Sequence, residues 1–427
     1  MPLSELTAAT PTARQRDRAV DVARIGALLV VMFGHCALLL ATIDSGGVRI
    51  GNLLGALPAL APVTWVVQVM PLFFLAGGAA GAYGWHAGSP WGSWLFTRAQ
   101  RLCRPVFWYL AFWTVALLVT RLVLGAESAD ALGRESVALL WFLGVYLVVL
   151  AFVPALTHMR TWRSVAVVLV ALLSVTAVID AIRFAVGTPE AGLANFLVGW
   201  LIPVVIGVAY ARRLIGPQIA LGLAVAVFAA QLVLAATGPY EVALVVTGAE
   251  HTSNVTPPTL MLALHCTWMS FLFVAAAGLL NRWAARPRVW RAVAAGNGGA
   301  MTLYLWHIPA IAIATFSLHA VGLDAYNVHA AGFGWLLALR ELVFGVVMAV
   351  LFRLLSPLEH RRLPGWDAPV RAAGARSTAA GALICLAGVA VVALAKSGLA
   401  GVAGWTMLGC FVAAAVAARV CAAPPKV

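Results

Sequence analysis

The chain has 427 residues, 63% of them hydrophobic and only 10% charged, with a mean hydropathy of +0.96; about a quarter of a soluble globular chain is charged, so a soluble domain is excluded. The formal net charge of +13 would point to nucleic acid in a soluble protein, but here the arginines fall in short loops between apolar runs. The positive-inside bias explains them there, without a polyanionic partner and without nucleic acid.

The apolar runs are about 20 residues long and unbroken, not ten-residue alternating segments, which predicts helices instead of an outer-membrane barrel. The expected fold class is all-α, a polytopic bundle. Residues 1–20 form a polar tail in which Arg14, Arg16 and Arg18 mark the cytoplasmic side. The first apolar run, about 22–43, is too long for a signal-peptide core and lacks a convincing cleavage site, so it is expected to stay as a span. Within it, Arg24 and His35 are separated by ten almost wholly apolar residues. At about 100° and 1.5 Å per residue, both fall on one stripe, roughly 16 Å apart. Arg24 then stands at the membrane entrance and His35 near mid-bilayer. An ionisable group at that depth is a candidate functional site, the alternative being a packing histidine on a neighbour's carbonyl and a snorkelling arginine.

A Gly-rich loop with Arg49 leads to a second span, about 63–85, containing Met70-Pro71-Leu72-Phe73-Phe74-Leu75-Ala76-Gly77-Gly78. The proline and close glycines weaken the helix and admit a neighbouring backbone, as at a cavity wall. The next loop carries Arg98, Arg101 and Arg104 before Pro105. Such a cluster can grip a polyanion or simply mark an inside loop. Spans over about 105–124 and 136–156 flank an outside loop with Glu127, Asp130, Arg134 and Glu135. The fifth, about 164–186, contains Asp180 near its outer end, where Arg183 is a possible partner. The sixth holds Asn195 and Trp200, and the seventh runs over about 218–237. An outside loop with Glu241, Glu250, His251 and Asn254 then opens into the eighth, about 259–280, through Asn254-Val255-Thr256-Pro257-Pro258-Thr259. The ninth follows Asn297 and includes Tyr304-Leu305-Trp306-His307, and the tenth covers about 333–355. An Arg- and Pro-rich linker, 356–377, precedes two more apolar runs, about 378–395 and 401–420. Six cysteines form no close pair and no metal-ligand spacing, which argues against a disulfide framework or a zinc site.

Asp21, Arg24 and His35, the Phe73-Phe74 segment ending in glycines, the arginine run ending in Pro105, and Tyr304 to His307 occur in an order that resembles the integral-membrane acyltransferase-3 family over roughly residues 14–362. Asp180, Asn195, Trp200 and the Asn254 segment narrow the resemblance to a subset common in high-GC bacteria. Two departures stand out. Pro71 and Gly77 replace an acid and a serine of the commonest form, and Ile202-Pro203-Val204 replaces a histidine–glutamine pair. The resemblance implies a ten-helix catalytic unit over 21–362, preceded by the 1–20 tail and followed by an extra two-helix segment over 363–427. It also implies transfer of an acyl group, often acetyl, from acyl-CoA as co-substrate, with no bound cofactor or metal, to a hydroxyl of a glycan, lipid or secondary metabolite. His35 is then the expected general base, Arg24 an aid to donor orientation, and Arg98, Arg101 and Arg104 the donor's phosphate site. Asp21, Phe74, Asp180, Asn195, Asn254 and His307 are expected along the acceptor site or cavity wall. The loop charges predict a multi-pass protein of the inner (plasma) membrane with both termini cytoplasmic. A transporter or flippase without covalent chemistry, or a sensing protein that keeps the fold without turnover, also accommodates intramembrane Arg and His.

Overall fold

A computed structural model of the protein describes residues 17–44, 47–248 and 252–423. Arg14, Arg16, Glu250 and His251 lie outside the described residues. Among the described residues, 12 helices are long and apolar enough to cross a membrane. In chain order, α1 (Arg18–Leu38) is followed by a β-hairpin, β1 (Leu39–Asp44) and β2 (Gly47–Asn52), then by α2 (Leu53–Ala56) and a 3₁₀ turn over Pro58–Val63. The second span continues through α3 (Thr64–Val67) and α4 (Met70–Tyr83). Next come α5 (Trp91–Leu124), α6 (Ala126–Ala138), α7 (Trp141–Leu150), α8 (Val153–Leu156) and α9 (Trp162–Val186). The chain proceeds through α10 (Asn195–Ala211), α11 (Pro217–Thr237), α12 (Leu260–Ala284), α13 (Pro287–Gly298), α14 (Ala300–His319) and α15 (Phe333–His360). It ends with α16 (Gly374–Ser397) and α17 (Gly401–Ala422).

Several expected boundaries move, each for a local reason. The loop around Arg49 is instead the antiparallel hairpin, paired from Leu39↔Asn52 inward, which ends α1 at Leu38 instead of about residue 43. Thr42, Ile43 and Ile50 supply the β-branched content that favours an extended ribbon. The second span is not continuous. Pro71 occupies the first turn of α4 and the helix breaks at Gln68, whose freed carbonyl accepts a hydrogen bond from His265 Nε2 at 2.7 Å. The arginine loop is helical: Arg98, Arg101 and Arg104 ride on the opening turns of α5, a 34-residue helix that carries Pro105 inside it. The supposed outside loop with Glu127 to Glu135 is likewise helical, as α6.

Depth is set at α1. The surface helix α13 is amphipathic, with Val293 buried and Arg288 and Arg291 exposed, and its Gly296 lies so close to Ile25 that a Cβ there would sit 2.7 Å from Ile25 Cδ1. Ile25 is thus level with the membrane surface. His35, ten residues on, lies about 15 Å deeper, half the ~30 Å hydrocarbon thickness. His307, seven residues into α14, reaches a comparable depth from the same side.

The helices approach through small residues, as expected where lipid supplies no hydrophobic drive for association. In α4, Gly78 faces the Val204 backbone of α10, and Gly207 of α10 faces Leu75 in return. The last two spans join the bundle the same way: α16 packs on α5 and α7 where Gly92 meets Ser377 and Gly144 meets Gly388. A methyl group at residue 144 has backbone on the other side, so Gly144→Ala should destabilise the protein by about 1–3 kcal/mol and lower its apparent melting temperature in detergent. Gly222→Ala, on an open face of α11, should leave that temperature unchanged or slightly raised. An unshifted Gly144→Ala protein would contradict the packing of α16 on α7.

Candidate active site

The two deep histidines meet. His35 of α1 and His307 of α14 stack with ring centroids 5.2 Å apart and an interplanar angle of 17°, and His35 Nδ1 lies 3.0 Å from His307 Nε2. On its other side, His307 Nδ1 is 2.6 Å from the carbonyl oxygen of Tyr304. A carbonyl only accepts, so His307 carries its proton on Nδ1. With both rings uncharged, His307 Nε2 is then a lone pair, His35 must donate to it from Nδ1, and the lone pair of His35 is left on Nε2. That atom makes no hydrogen bond among the described residues, and the His35 side chain is half-buried while Met32 and Cys36 on the same helix are buried.

Both partners are held from behind. Tyr304 donates from its hydroxyl to the Leu139 carbonyl at 2.5 Å. The first turn of α14 is capped by Glu359 of α15, which accepts from Thr302 N at 2.9 Å and from its hydroxyl at 2.8 Å. Where the last turn of α1 runs into the hairpin, the orphaned Cys36 carbonyl accepts from Arg340 Nη2 at 2.6 Å. His307 itself is wholly buried, as a fixed support requires.

Toward the surface, the ring of Phe142 links the histidines to the arginines. It lies 5.6 Å from Tyr304 on one side and 5.5 Å from Tyr146 on the other, with Phe73 at 5.5 Å. Phe73, Phe142 and Tyr146 are half-buried. Arg24 pairs only loosely with the buried Asp21, at 3.9 Å, and keeps 29% of its side chain accessible. Arg98 stacks its guanidinium 3.8 Å from the Trp94 ring centroid and lies over Gly84, where a Cβ would be 2.5 Å from Nη2. Arg24 and Arg98 both lie within electrostatic reach of the Tyr146 hydroxyl.

The three arginines expected to act together point apart. Arg98 turns inward and Arg101 is exposed. Arg104 is held by Asp367 of the 361–373 linker, with Nη2 at 2.6 Å and Nε at 3.1 Å from one carboxylate oxygen. Of the other candidates, Phe74 adjoins this aromatic row, 5.1 Å from Phe142, and the rest lie elsewhere. Phe74 is fully buried and stacks on Trp200 with centroids 4.6 Å apart. Asp180 accepts from Asn195 Nδ2 at 3.0 Å, Tyr240 Oη at 3.0 Å and Leu260 N at 2.6 Å, while Arg183 donates to the Ser253 and Pro257 carbonyls. Asn254 bonds the Glu241 and Ala243 carbonyls and the Thr259 hydroxyl. These polar groups form a corner at the end of the bundle opposite α13, and the hydrogen bonds are ones that hold loop to helix. Sequence reasoning missed Tyr146: one tyrosine in an apolar run gives no periodic signal, and only the facing Gly77 reveals its place.

The assigned tautomers are directly measurable by solid-state NMR of protein labelled with ¹⁵N-histidine. At neutral pH, both His35 and His307 should show a protonated Nδ1 and an unprotonated Nε2. A protonated Nε2 on His35 would contradict the arrangement.

Comparison with known proteins adds the family. No curated protein and no solved structure matches the chain. A family model described as an acyltransferase domain matches residues 17–356, from the cap of α1 to the last turns of α15, with α16 and α17 beyond it. The match takes in α1, the arginine-bearing helix and α14 as one continuous unit, so the chain belongs to the acyltransferase-3 family: it is a multi-pass membrane acyltransferase that transfers groups other than aminoacyl groups.

Proposed function

We propose that the protein moves an acyl group, acetyl in the first instance, from acyl-CoA to a hydroxyl of a glycan, lipid or secondary metabolite, with His35 as general base. The observation that supports this reading is the contact of His35 Nδ1 with His307 Nε2 at 3.0 Å, from which an unprotonated His35 Nε2 follows. The acceptor hydroxyl gives its proton to His35 Nε2 as its oxygen attacks the thioester carbonyl. The C–S bond then breaks, and the proton passes from the imidazolium to the departing thiolate. While the ring is charged, its Nδ1–H bond to His307 becomes charge-assisted and shorter, which stabilises the ring when it carries the proton. A positioned base of this kind contributes about 10²–10⁴-fold to the rate.

The donor enters from the end at which α1 begins. Arg18, Arg160, Arg212, Arg286, Arg288 and Arg291 gather there, and the positive-inside rule makes that end cytoplasmic, with both termini on that side in the plasma membrane. Arg24, Arg98 and Arg101 receive the donor's phosphates, and the thin pantetheine arm runs along Phe73 and Phe142 to His35. Arg104, engaged by Asp367, fastens the linker instead of meeting the donor.

Purified protein in detergent, supplied with acetyl-CoA and an extract of cell lipids and glycans, should release free thiol and form an acetyl ester detectable by mass spectrometry. His35→Ala should slow this at least ~100-fold. Thiol release undiminished by His35→Ala, or movement of a substrate across vesicles without thiol release, would overturn the proposal.

A further inference from the structure

Five of the seven tyrosines give their hydroxyl proton to a protein acceptor among the described residues; Tyr146 on α7 does not, and neither does Tyr326 in the loop after α14. Tyr83, Tyr109, Tyr210, Tyr240 and Tyr304 each donate to a carboxylate or a carbonyl. The Tyr146 hydroxyl makes no hydrogen bond among the described residues, although its ring is packed between helices beside Phe74 and Phe142, 6.0 and 5.5 Å away. A phenol set among apolar helices ordinarily finds a partner, and this half-buried one leaves its hydroxyl open to an incoming acceptor. The ring is also placed with unusual closeness. A Cβ at Gly77 would lie 2.6 Å from both Cε2 and Oη of Tyr146, so the ring occupies the volume that any side chain at 77 would take.

Gly77 and Gly84 are two helical turns apart on one face of α4. The first is covered by the Tyr146 phenol and the second by the Arg98 guanidinium, and α1, which packs on α4, brings Arg24 within electrostatic reach of the Tyr146 hydroxyl. Guanidinium groups have no acceptor atoms, and a phenol between them has a proton to give. A ligand with several anionic oxygens, such as a diphosphate, offers each of these donors its own acceptor.

We propose that Tyr146 is a donor-binding residue, its hydroxyl contributing with Arg24 and Arg98 to a site for the phosphate oxygens of the acyl donor, the ring held in the volume that Gly77 leaves free. This rests on the acyl-CoA reading above. The hydroxyl binds without touching the reacting carbonyl, so its loss alters affinity and leaves the chemical step alone.

The test compares two thioester donors, acetyl-CoA and S-acetylpantetheine, which lacks phosphate. Tyr146→Phe should raise KM for acetyl-CoA about tenfold with kcat within about twofold, and should leave kcat/KM for S-acetylpantetheine unchanged. Gly77→Ala, which displaces the ring, should reproduce the same split. Equal KM values for acetyl-CoA in the wild type and Tyr146→Phe, or equal losses with both donors, would overturn the assignment while leaving the acyl-CoA reading intact. A wild-type protein that neither binds CoA nor consumes acetyl-CoA would overturn both.

Discussion

Two imidazoles 3.0 Å apart can share one proton, and which ring supplies it is settled by what lies behind them. In this protein a main-chain carbonyl lies behind His307, and that single acceptor dictates the protonation of the whole row, from the Tyr304 carbonyl through His307 to His35. In a protein interior, where water cannot stand in for a missing partner, a carbonyl is an unambiguous terminator. The surrounding structure keeps the row in register. Glu359 caps α14, Arg340 takes the orphaned carbonyl at the end of α1, and Tyr304 is anchored on Leu139.

The same logic accounts for the placement of charge. The proposed chemistry needs a neutral, desolvated base and a solvated grip for phosphates, and these demands conflict at one point in space. The bundle separates them by about half the length of α1, with Arg24 level with the surface helix α13 and His35 some 15 Å deeper. Aromatic rings fill the interval. They supply apolar surface without polar groups that need partners, so a slender chain can pass between two chemically opposed ends.

Much of this was legible in the sequence because helical periodicity is a short-range code. Arg24 and His35 share a stripe whatever the rest of the chain does, and the apolar runs were countable. The partner of His35 was named as a candidate but not as its partner, since 272 residues separate the two histidines and pairing between helices leaves no local signature. Proline cuts both ways: Pro105, which suggests the start of a span, sits inside one long helix, whereas Pro71, which the sequence marks as a weak point, does accompany a break whose exposed carbonyl is satisfied by His265. The arginine cluster was read as a unit because its spacing looked compact, whereas Asp367, 263 residues from Arg104, claims one member. The final two spans fall outside the family match, but α16 meets α5 and α7 through glycine contacts and α17 packs on α16, so both belong to the same bundle.

The central claim is that His307 acts through His35 and not on substrate. The most direct measurement is a double-mutant cycle on the rate of acyl transfer, using His35→Ala, His307→Ala and the pair. If His307 serves only to hold the Nδ1 proton of His35, then its removal slows the wild type but costs nothing further once His35 is gone, so the double variant should match His35→Ala alone. Losses that multiply in the double variant would show two independent contributions and contradict the relay.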